Sequence, residues 1–206
     1  MNIICISDTH NQHEKLNDIL PEGDMIIHAG DISLRGSLVE IQEFLNWFSD
    51  LPYRYKIFIA GNHDFALEKN ESLVNIPENV IYLNNQTITI EDINIWGSPV
   101  TPPFYNWAFM WPLEKRSQLY KEIPDNCDII ISHGPVFGIA DKVKMGQNVG
   151  CPLLKTRVEE IKPKLFICGH IHEGYGSVTL NNTTYVNASI MNVKYEPVNL
   201  PIKVAI

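Results

Sequence analysis

The apolar residues of this chain fall into short continuous runs separated by helix-spaced stretches, and their order predicts the elements. Asn2 to Ile6 reads as a short buried strand. Leu16, Ile19 and Leu20 share one face of a helix that Pro21 and Gly23 end, and Met25 to His28 is a second apolar run closed by the polar turn Gly30-Asp31. Ser37-Leu38-Val39-Glu40 has the spacing of a capping box, in which the Ser hydroxyl and the Glu carboxylate each satisfy a free backbone donor at a helix start. Leu38, Ile41, Leu45 and Phe48 continue that helix until Leu51-Pro52 breaks it. Tyr55 to Ile59 is the next strand, ending at Gly61-Asn62-His63-Asp64. Such βα units in a row predict parallel strands with helices across their faces.

In the middle of the chain Thr87 to Ile90 and Ile93 to Trp96 alternate polar and apolar around Glu91-Asp92, the pattern of a hairpin in a mixed or second sheet. The βα pattern then returns with a strand over Cys127 to Ile131, a helix carrying Leu153, Leu154, Val158 and Ile161, and a strand over Lys164 to Cys168. A last hairpin joins Gly176 to Leu180 with Thr183 to Val186, turning at Asn181-Asn182. Ser98 to Pro112 is rich in Pro and aromatic residues; it predicts an ordered loop packed either on its own domain or as a wall beside a ligand. Gly134 to Gly150 is a long loop directly after His133, placed to serve a substrate. No linker or repeat interrupts the chain, so residues 1–206 are expected to form one domain of mixed α/β class.

The polar residues turn this outline into chemistry. Asp8-Thr9-His10, Gly30-Asp31, Gly61-Asn62-His63-Asp64, Ser132-His133-Gly134 and Gly169-His170-Ile171-His172 each follow the C-terminal end of an apolar run. In an open α/β sheet that edge is where sites are built, so residues distant in sequence are expected to converge there. Carboxylate, imidazole and amide oxygen together suit divalent first-row ions, and the absence of thiolate disfavours a structural zinc site. Asp8, His10, Asp31, Asn62, His133, His170 and His172 are more ligands than one ion with an open position can use; two ions sharing a carboxylate would use them all. Taken singly, each Asp is equally well a turn or cap residue and each His a satisfied core or surface side chain.

Charge at first argues against a phosphate-bearing ligand. Lys and Arg number 16 against 24 Asp and Glu, a formal charge of -8, so neither long nucleic acid nor an anionic membrane is an expected partner. Bound divalent cations would nevertheless make the site itself cationic. The 4 cysteines form no C-x-x-C pair, and the chain opens on its first strand, which predicts reduced thiols and a cytoplasmic protein.

Asp8-x-His10, Gly30-Asp31, Gly61-Asn62-His63-Asp64, His133 and Gly169-His170-x-His172 resemble, in order and in full, the motif set of the calcineurin-like metallophosphoesterases. The surrounding text, including Trp96-Gly97-Ser98-Pro99 and His172-Glu173-Gly174-Tyr175-Gly176, is similar to the small metallophosphoesterase-domain-containing group, whose members act on phosphodiesters including cyclic nucleotides. The resemblance implies a four-layer sandwich of two mixed β-sheets flanked by helices. It implies that Asp8, His10 and His172 hold one divalent ion, that Asn62, His133 and His170 hold a second, and that Asp31 bridges them. Manganese, iron, zinc and cobalt all suit such ligands. It implies that Asn62 and His63 contact the substrate phosphate, with His63 assisting the leaving oxygen while a metal-activated hydroxide attacks. The implied substrate is a small phosphoester such as a nucleotide. A phosphomonoesterase, a nuclease and a non-catalytic scaffold are the competing expectations.

Other residues carry weaker expectations. Asp31-Ile32-Ser33-Leu34-Arg35-Gly36 resembles the Asp-x-x-Asp-Arg-Gly pattern of serine/threonine phosphatases, except that Leu34 replaces the carboxylate that orients the motif His there. Arg35 reads either as a phosphate clamp or as an exposed helix-start residue. His28 is expected to be a hydrogen-bonded core residue and His13 an exposed helix residue, while Glu173 and Asn187 are candidates to orient ligating imidazoles.

Overall fold

Successive side chains of a β-strand point to opposite faces, and in the computed structural model, which describes residues 1–206, both faces of the central strands are buried. The chain runs through β1 (Asn2–Ile6), β2 (Met25–Ala29), α1 (Leu38–Asp50), β3 (Tyr55–Ile59), α2 (Phe65–Lys69), β4 (Ile81–Tyr82), β5 (Gln86–Ile90) and β6 (Ile93–Ser98). It continues through α3 (Leu113–Lys121), β7 (Ile129–Ser132), α4 (Pro152–Ile161), β8 (Leu165–Cys168), β9 (Gly176–Leu180), β10 (Thr183–Asn187) and β11 (Ile202–Ala205). A 5-stranded sheet has the order β11-β1-β2-β3-β4 and a 6-stranded sheet the order β5-β6-β7-β8-β10-β9. Parallel pairs form the middle of each sheet, and antiparallel β11, β5 and β9 lie at edges, so both sheets are mixed.

Alternation sorts the apolar residues into layers. Ile3, Cys5, Met25, Ile27, Ile57 and Ile59 of the first sheet meet Ile95, Ile129, Ile131, Leu165 and Ile167 of the second between the sheets. Their neighbours Ile4, Ile6, Ile26 and Phe58 face outward, where Ile41, Phe44, Leu45 and Phe48 of α1 cover them. On the far side Trp96, Ile130 and Phe166 are covered by Leu119 and Tyr120 of α3 and Leu154 and Val158 of α4. The result is the helix–sheet–sheet–helix sandwich that the family resemblance implies.

Most predicted elements form, and the exceptions have local causes. The capping box forms as read: Ser37 Oγ accepts from Glu40 N at 3.2 Å, and Glu40 Oε2 accepts from Ser37 N at 2.9 Å. Both hairpins turn through pairs at positive φ, Glu91 and Asp92 and then Asn181 and Asn182, as two-residue connections require. The helix expected around Leu16 to Leu20 is instead one 3-10 turn over His13–Leu16: Leu16 is buried, whereas Ile19 is 41% exposed and lends no apolar face to a longer helix. His13, expected to be exposed, is buried, because that turn lays its ring against Phe44 and Trp47 with centroids 5.6 and 4.9 Å away. The strand expected from Cys127 starts at Ile129, since Cys127 N donates to Pro124 O in a turn.

His28 is the core residue its position predicts. Gly30 N–H donates to its Nδ1 at 3.2 Å, which leaves the ring proton on Nε2, 2.9 Å from Thr9 Oγ1. Burial pushes the imidazole down from its ordinary value of 6.5 to about 3. Below pH 6.5 the unfolded chain therefore takes up a proton that the folded chain refuses, so stability falls with pH until about 3. The slope from this residue reaches at most about 1.4 kcal/mol per pH unit. Denaturant unfolding of His28→Gln is expected to depend less on pH than that of the wild type, with the difference approaching that slope between about pH 4 and 6 and fading by pH 7; equal slopes would refute the assignment.

Candidate metal centre

The five polar clusters meet at one edge because parallel strands β1, β2, β3, β7 and β8 deliver their C-terminal loops there. Asp8, His10, Asp31 and His170 have φ of 53°, 41°, 57° and 66°, in the left-handed region that side chains enter at a cost and that concentrates at functional sites. Backbone hydrogen bonds hold these turns: Asp8 N to Gly30 O at 2.9 Å, His10 N to Asp31 O at 3.1 Å and Gly169 N to His133 O at 3.0 Å. Close approach explains the glycines beside the candidate ligands. A Cβ on Gly61 would lie 2.2 Å from Asp31 Oδ1, and one on Gly169 would lie 2.1 Å from Asp8 Oδ2.

Ligand atoms of Asp8, His10 and His172 lie within 4.8 Å of one another, as do those of Asp31, His133 and His170, and those of His10, Asp31 and His63. Asn62 Oδ1 is 3.0 Å from His133 Nε2. The imidazole protons are fixed from behind. Nδ1 of His10, His133, His172 and His63 lies 3.2, 2.9, 3.0 and 2.8 Å from the carbonyls of Ser33, Ala29, Asn192 and Leu34, which can only accept. Each Nδ1 therefore carries a proton, and each Nε2 is turned toward the cluster. His10 Nε2 and His172 Nε2 are only 3.4 Å apart, a contact that a cation held between them would relieve. Buried carboxylates, imidazole lone pairs and an amide oxygen converging in this way fit divalent first-row ions.

The electrostatics agree. Burial opposes ionisation of Asp8 and Asp31, yet His172 beside the first and His133 beside the second outweigh it and hold both carboxyls below their ordinary value. In return, burial of His133 and His172 is outweighed by those carboxylates, and both imidazoles are pushed up to about 9. The pocket thus demands positive charge to compensate its two carboxylates. His170, where burial dominates, is pushed down to about 4, leaving a neutral ring.

The residue missing from the phosphatase-like pattern has a substitute. Leu34 lacks a carboxylate, but its backbone carbonyl takes the Nδ1 proton of His63, and Trp107 stacks on the ring with centroids 4.4 Å apart and planes 29° apart. The carboxylate of Asp64 links the turns instead. It accepts from Gly61 N at 2.7 Å, Ser33 N at 2.9 Å, Ile32 N at 3.3 Å and Ser33 Oγ at 2.6 Å. Burial and then the Asp31 charge push its carboxyl up to about 6. Asp64→Ala leaves these buried donors without a partner and is expected to destabilise the fold by about 3 kcal/mol or more, measured by denaturant unfolding.

Asp31, Asn62, His63, His170 and His172 form the floor of a recess of about 270 Å³, walled by Phe104, Trp107, Val193 and Tyr195. The aromatic loop is thus a wall of this recess, tied down by Ala108 N donating to Asn62 O at 3.0 Å. Arg35 is exposed in the bend before α1 and does not line the recess. Asn187 and Glu173 hydrogen-bond to no imidazole: Asn187 Nδ2 donates to the carbonyls of Ala140 and Ile171, and Glu173 Oε1 accepts from Lys144 N, because the backbone carbonyls already occupy the Nδ1 positions. Ser189, whose Oγ donates to Asp8 Oδ2 at 2.8 Å, and Tyr195, whose ring lies 4.8 Å from that of His10, were not legible in the sequence. Both come from the segment between β10 and β11, Ser189 from a bridge to Ser7, and no spacing connects them to the motifs.

The profile of the calcineurin-like phosphoesterases matches residues 1–174. Human metallophosphoesterase domain-containing protein 1 is 39% identical over 229 aligned residues, covering 97% of this chain and 69% of its own length. UPF0046 protein K07C11.7 of Caenorhabditis elegans is 33% identical, covering 93% of this chain and 70% of its own. The solved structure of TT1561 from Thermus thermophilus shares the fold with a TM-score of 0.61 at 16% identity, covering 90% of this chain and 88% of that one. A profile match over most of the chain, joined to relatives of this identity and coverage, places the protein in the calcineurin-like phosphoesterase family.

Proposed function

We propose that residues 1–206 form one catalytic unit that hydrolyses the phosphodiester bond of small, nucleotide-like substrates with two divalent ions. Membership of the family supports a metal-dependent phosphoesterase. The observation that carries the diester reading is the charge of the recess, whose lining includes no Lys or Arg. A doubly charged monoester would have only the ions and histidines to neutralise it, whereas a diester brings one negative charge and two organic arms for the aromatic walls.

Asp8, His10 and His172 would hold one ion, Asn62, His133 and His170 the other, and Asp31 both. When bound, the ions supply Lewis acidity toward phosphoryl oxygens and lower the pKa of water to near neutral. The chain's own part is positioning and proton delivery. His63, clamped by the Leu34 carbonyl at Nδ1 and by Trp107 on its face, presents Nε2 to the recess 4.0 Å from Asp31 Oδ2. In its doubly protonated form it can donate from Nε2 to the departing oxygen while Nδ1 keeps its hydrogen bond. Phe104, Trp107 and Tyr195 line the recess and offer aromatic faces to the organic part of the substrate.

No helix is long and apolar enough to cross a membrane. All four cysteines are buried and unpaired, which supports a reducing, cytoplasmic setting.

Metal analysis joined to a rate panel of 2′,3′- and 3′,5′-cyclic nucleotides, chromogenic diesters and matched monoesters tests the proposal. Turnover is expected to disappear with a chelator and return with manganese, iron, zinc or cobalt, and diesters are expected to exceed monoesters in kcat/KM by at least about tenfold. Faster monoester turnover would transfer the assignment to a phosphomonoesterase. Turnover of nothing, with no metal bound, would point to a scaffold.

A further inference from the structure

Beside the metal recess, and sharing His170 and Phe104 with it, lies a second recess of about 330 Å³. Its walls are Pro102, Pro103 and Phe104 from the aromatic loop and Pro135, Val143 and Val149 from the long loop after His133. Again no Lys or Arg lines it. The long loop is built rather than slack: buried Asp141 accepts from Gly138 N at 2.8 Å and Gly150 N at 2.9 Å through Oδ2, and Val149 N donates to Asp141 O at 3.2 Å. These bonds hold Val143 and Val149 opposite Pro102–Phe104 across the gap.

We infer that this recess is the specificity subsite for one ester arm of the substrate, and that the arm it takes is flat and uncharged. The inference rests on the phosphoesterase reading of the neighbouring floor, since continuity through His170 and Phe104 is what makes a substrate arm the occupant. Proline, phenylalanine and valine offer apolar faces for a ring, and a second phosphate placed there would meet no compensating cation. Volume matches as well, being at the lower end of the range for small-molecule sites. Phe104, 62% exposed, stands on the divide between the two recesses, so the phosphate and the ring would lie on either side of it.

The test compares phenyl p-nitrophenyl phosphate with methyl p-nitrophenyl phosphate, which share one leaving group and differ only in the remaining arm. Zinc-loaded wild type is expected to prefer the phenyl ester by about ten- to a hundred-fold in kcat/KM, the worth of burying a ring. Val149→Asp and, separately, Val143→Asp are expected to shrink that ratio toward one. A ratio near one in the wild type, or a ratio unchanged in both variants, overturns the subsite. A binding readout separates this from the parent reading: adenosine, a flat ring without phosphate, is expected to shift the methyl resonances of Val143 and Val149. If those resonances shift while neither ester turns over, the subsite stands and the diesterase reading falls. If neither methyl resonance moves at millimolar adenosine, the subsite is rejected whatever the rates are.

Discussion

His63→Ala is expected to bind metal as the wild type does and to turn over a phosphodiester about a hundred- to ten-thousand-fold more slowly, the usual worth of a positioned acid. The geometry supports both halves. Asp8, His10 and His172 form one group and Asp31, His133 and His170 another without His63, whose Nε2 faces the recess 4.0 Å from Asp31 Oδ2 while its Nδ1 is engaged with Leu34 O at 2.8 Å. On the proposed role, the variant would lose a proton donor facing the leaving oxygen. The deficit should therefore be greater for esters with an alkoxide leaving group than for p-nitrophenyl esters, whose leaving oxygen departs as a stable anion. Rates and metal content measured side by side check this. A variant with wild-type rates on an alkyl ester would falsify the role.

Asp31→Asn is expected to disturb both ions together. Its carboxylate is the one that faces both sides, with Oδ1 3.4 Å from His133 Nε2 and Oδ2 3.8 Å from His10 Nε2. Oδ1 also accepts from His63 N at 2.8 Å, so the substitution loosens the acid as well as the ligands. Substitutions behind a metal ligand typically cost 10- to 100-fold in affinity or activity, and a loss at a carboxylate that both ions would share is expected to exceed that. A folding readout accompanies the kinetic one. Metal at a hundredfold excess over its Kd should stabilise the wild-type fold by about 2.7 kcal/mol. That increment should vanish in Asp31→Asn, so that adding metal leaves its thermal midpoint where it was. Retention of both ions by the variant, shown by metal analysis, would rule out the bridging role.

The two variants also separate structure from chemistry. Asp64 lies between them as a structural reference: it touches neither recess but holds the Asp31 and Asn62 turns to each other through Ile32, Ser33 and Gly61. Its loss should lower stability first and activity only as far as the turns drift.

How much could be foreseen varies along the chain. The strands with continuous apolar runs, β1, β2, β3 and β8, and α1 with its capping box were legible because local pattern and burial agree there. β11 and α3 were not. β11 is a four-residue edge strand with alternate half-exposed positions, and α3 buries Arg116 where an apolar residue would have marked the face. The guanidinium there donates to Trp111 O at 2.9 Å, so a polar residue takes the place of a core one. His13 misled for the converse reason: a polar residue in a polar stretch is covered by aromatic rings that arrive from α1.

The order of the motifs, their placement after strand ends, and the chemical kind of every candidate ligand are properties of the residues themselves, because side-chain chemistry and strand periodicity are local. Convergence is not local. That His10 and His172, 162 positions apart, bring their Nε2 atoms within 3.4 Å depends on two sheets packing face to face through apolar residues that carry no chemistry. So does the proton placement on the rings of His10, His63, His133 and His172, set by carbonyls of Ser33, Leu34, Ala29 and Asn192 that any residue at those positions would have supplied. The walls of the two recesses belong to the same class. Phe104, Trp107, Val149 and Tyr195 carry no motif, and only the folded loops, held by backbone hydrogen bonds, give them a common space to line.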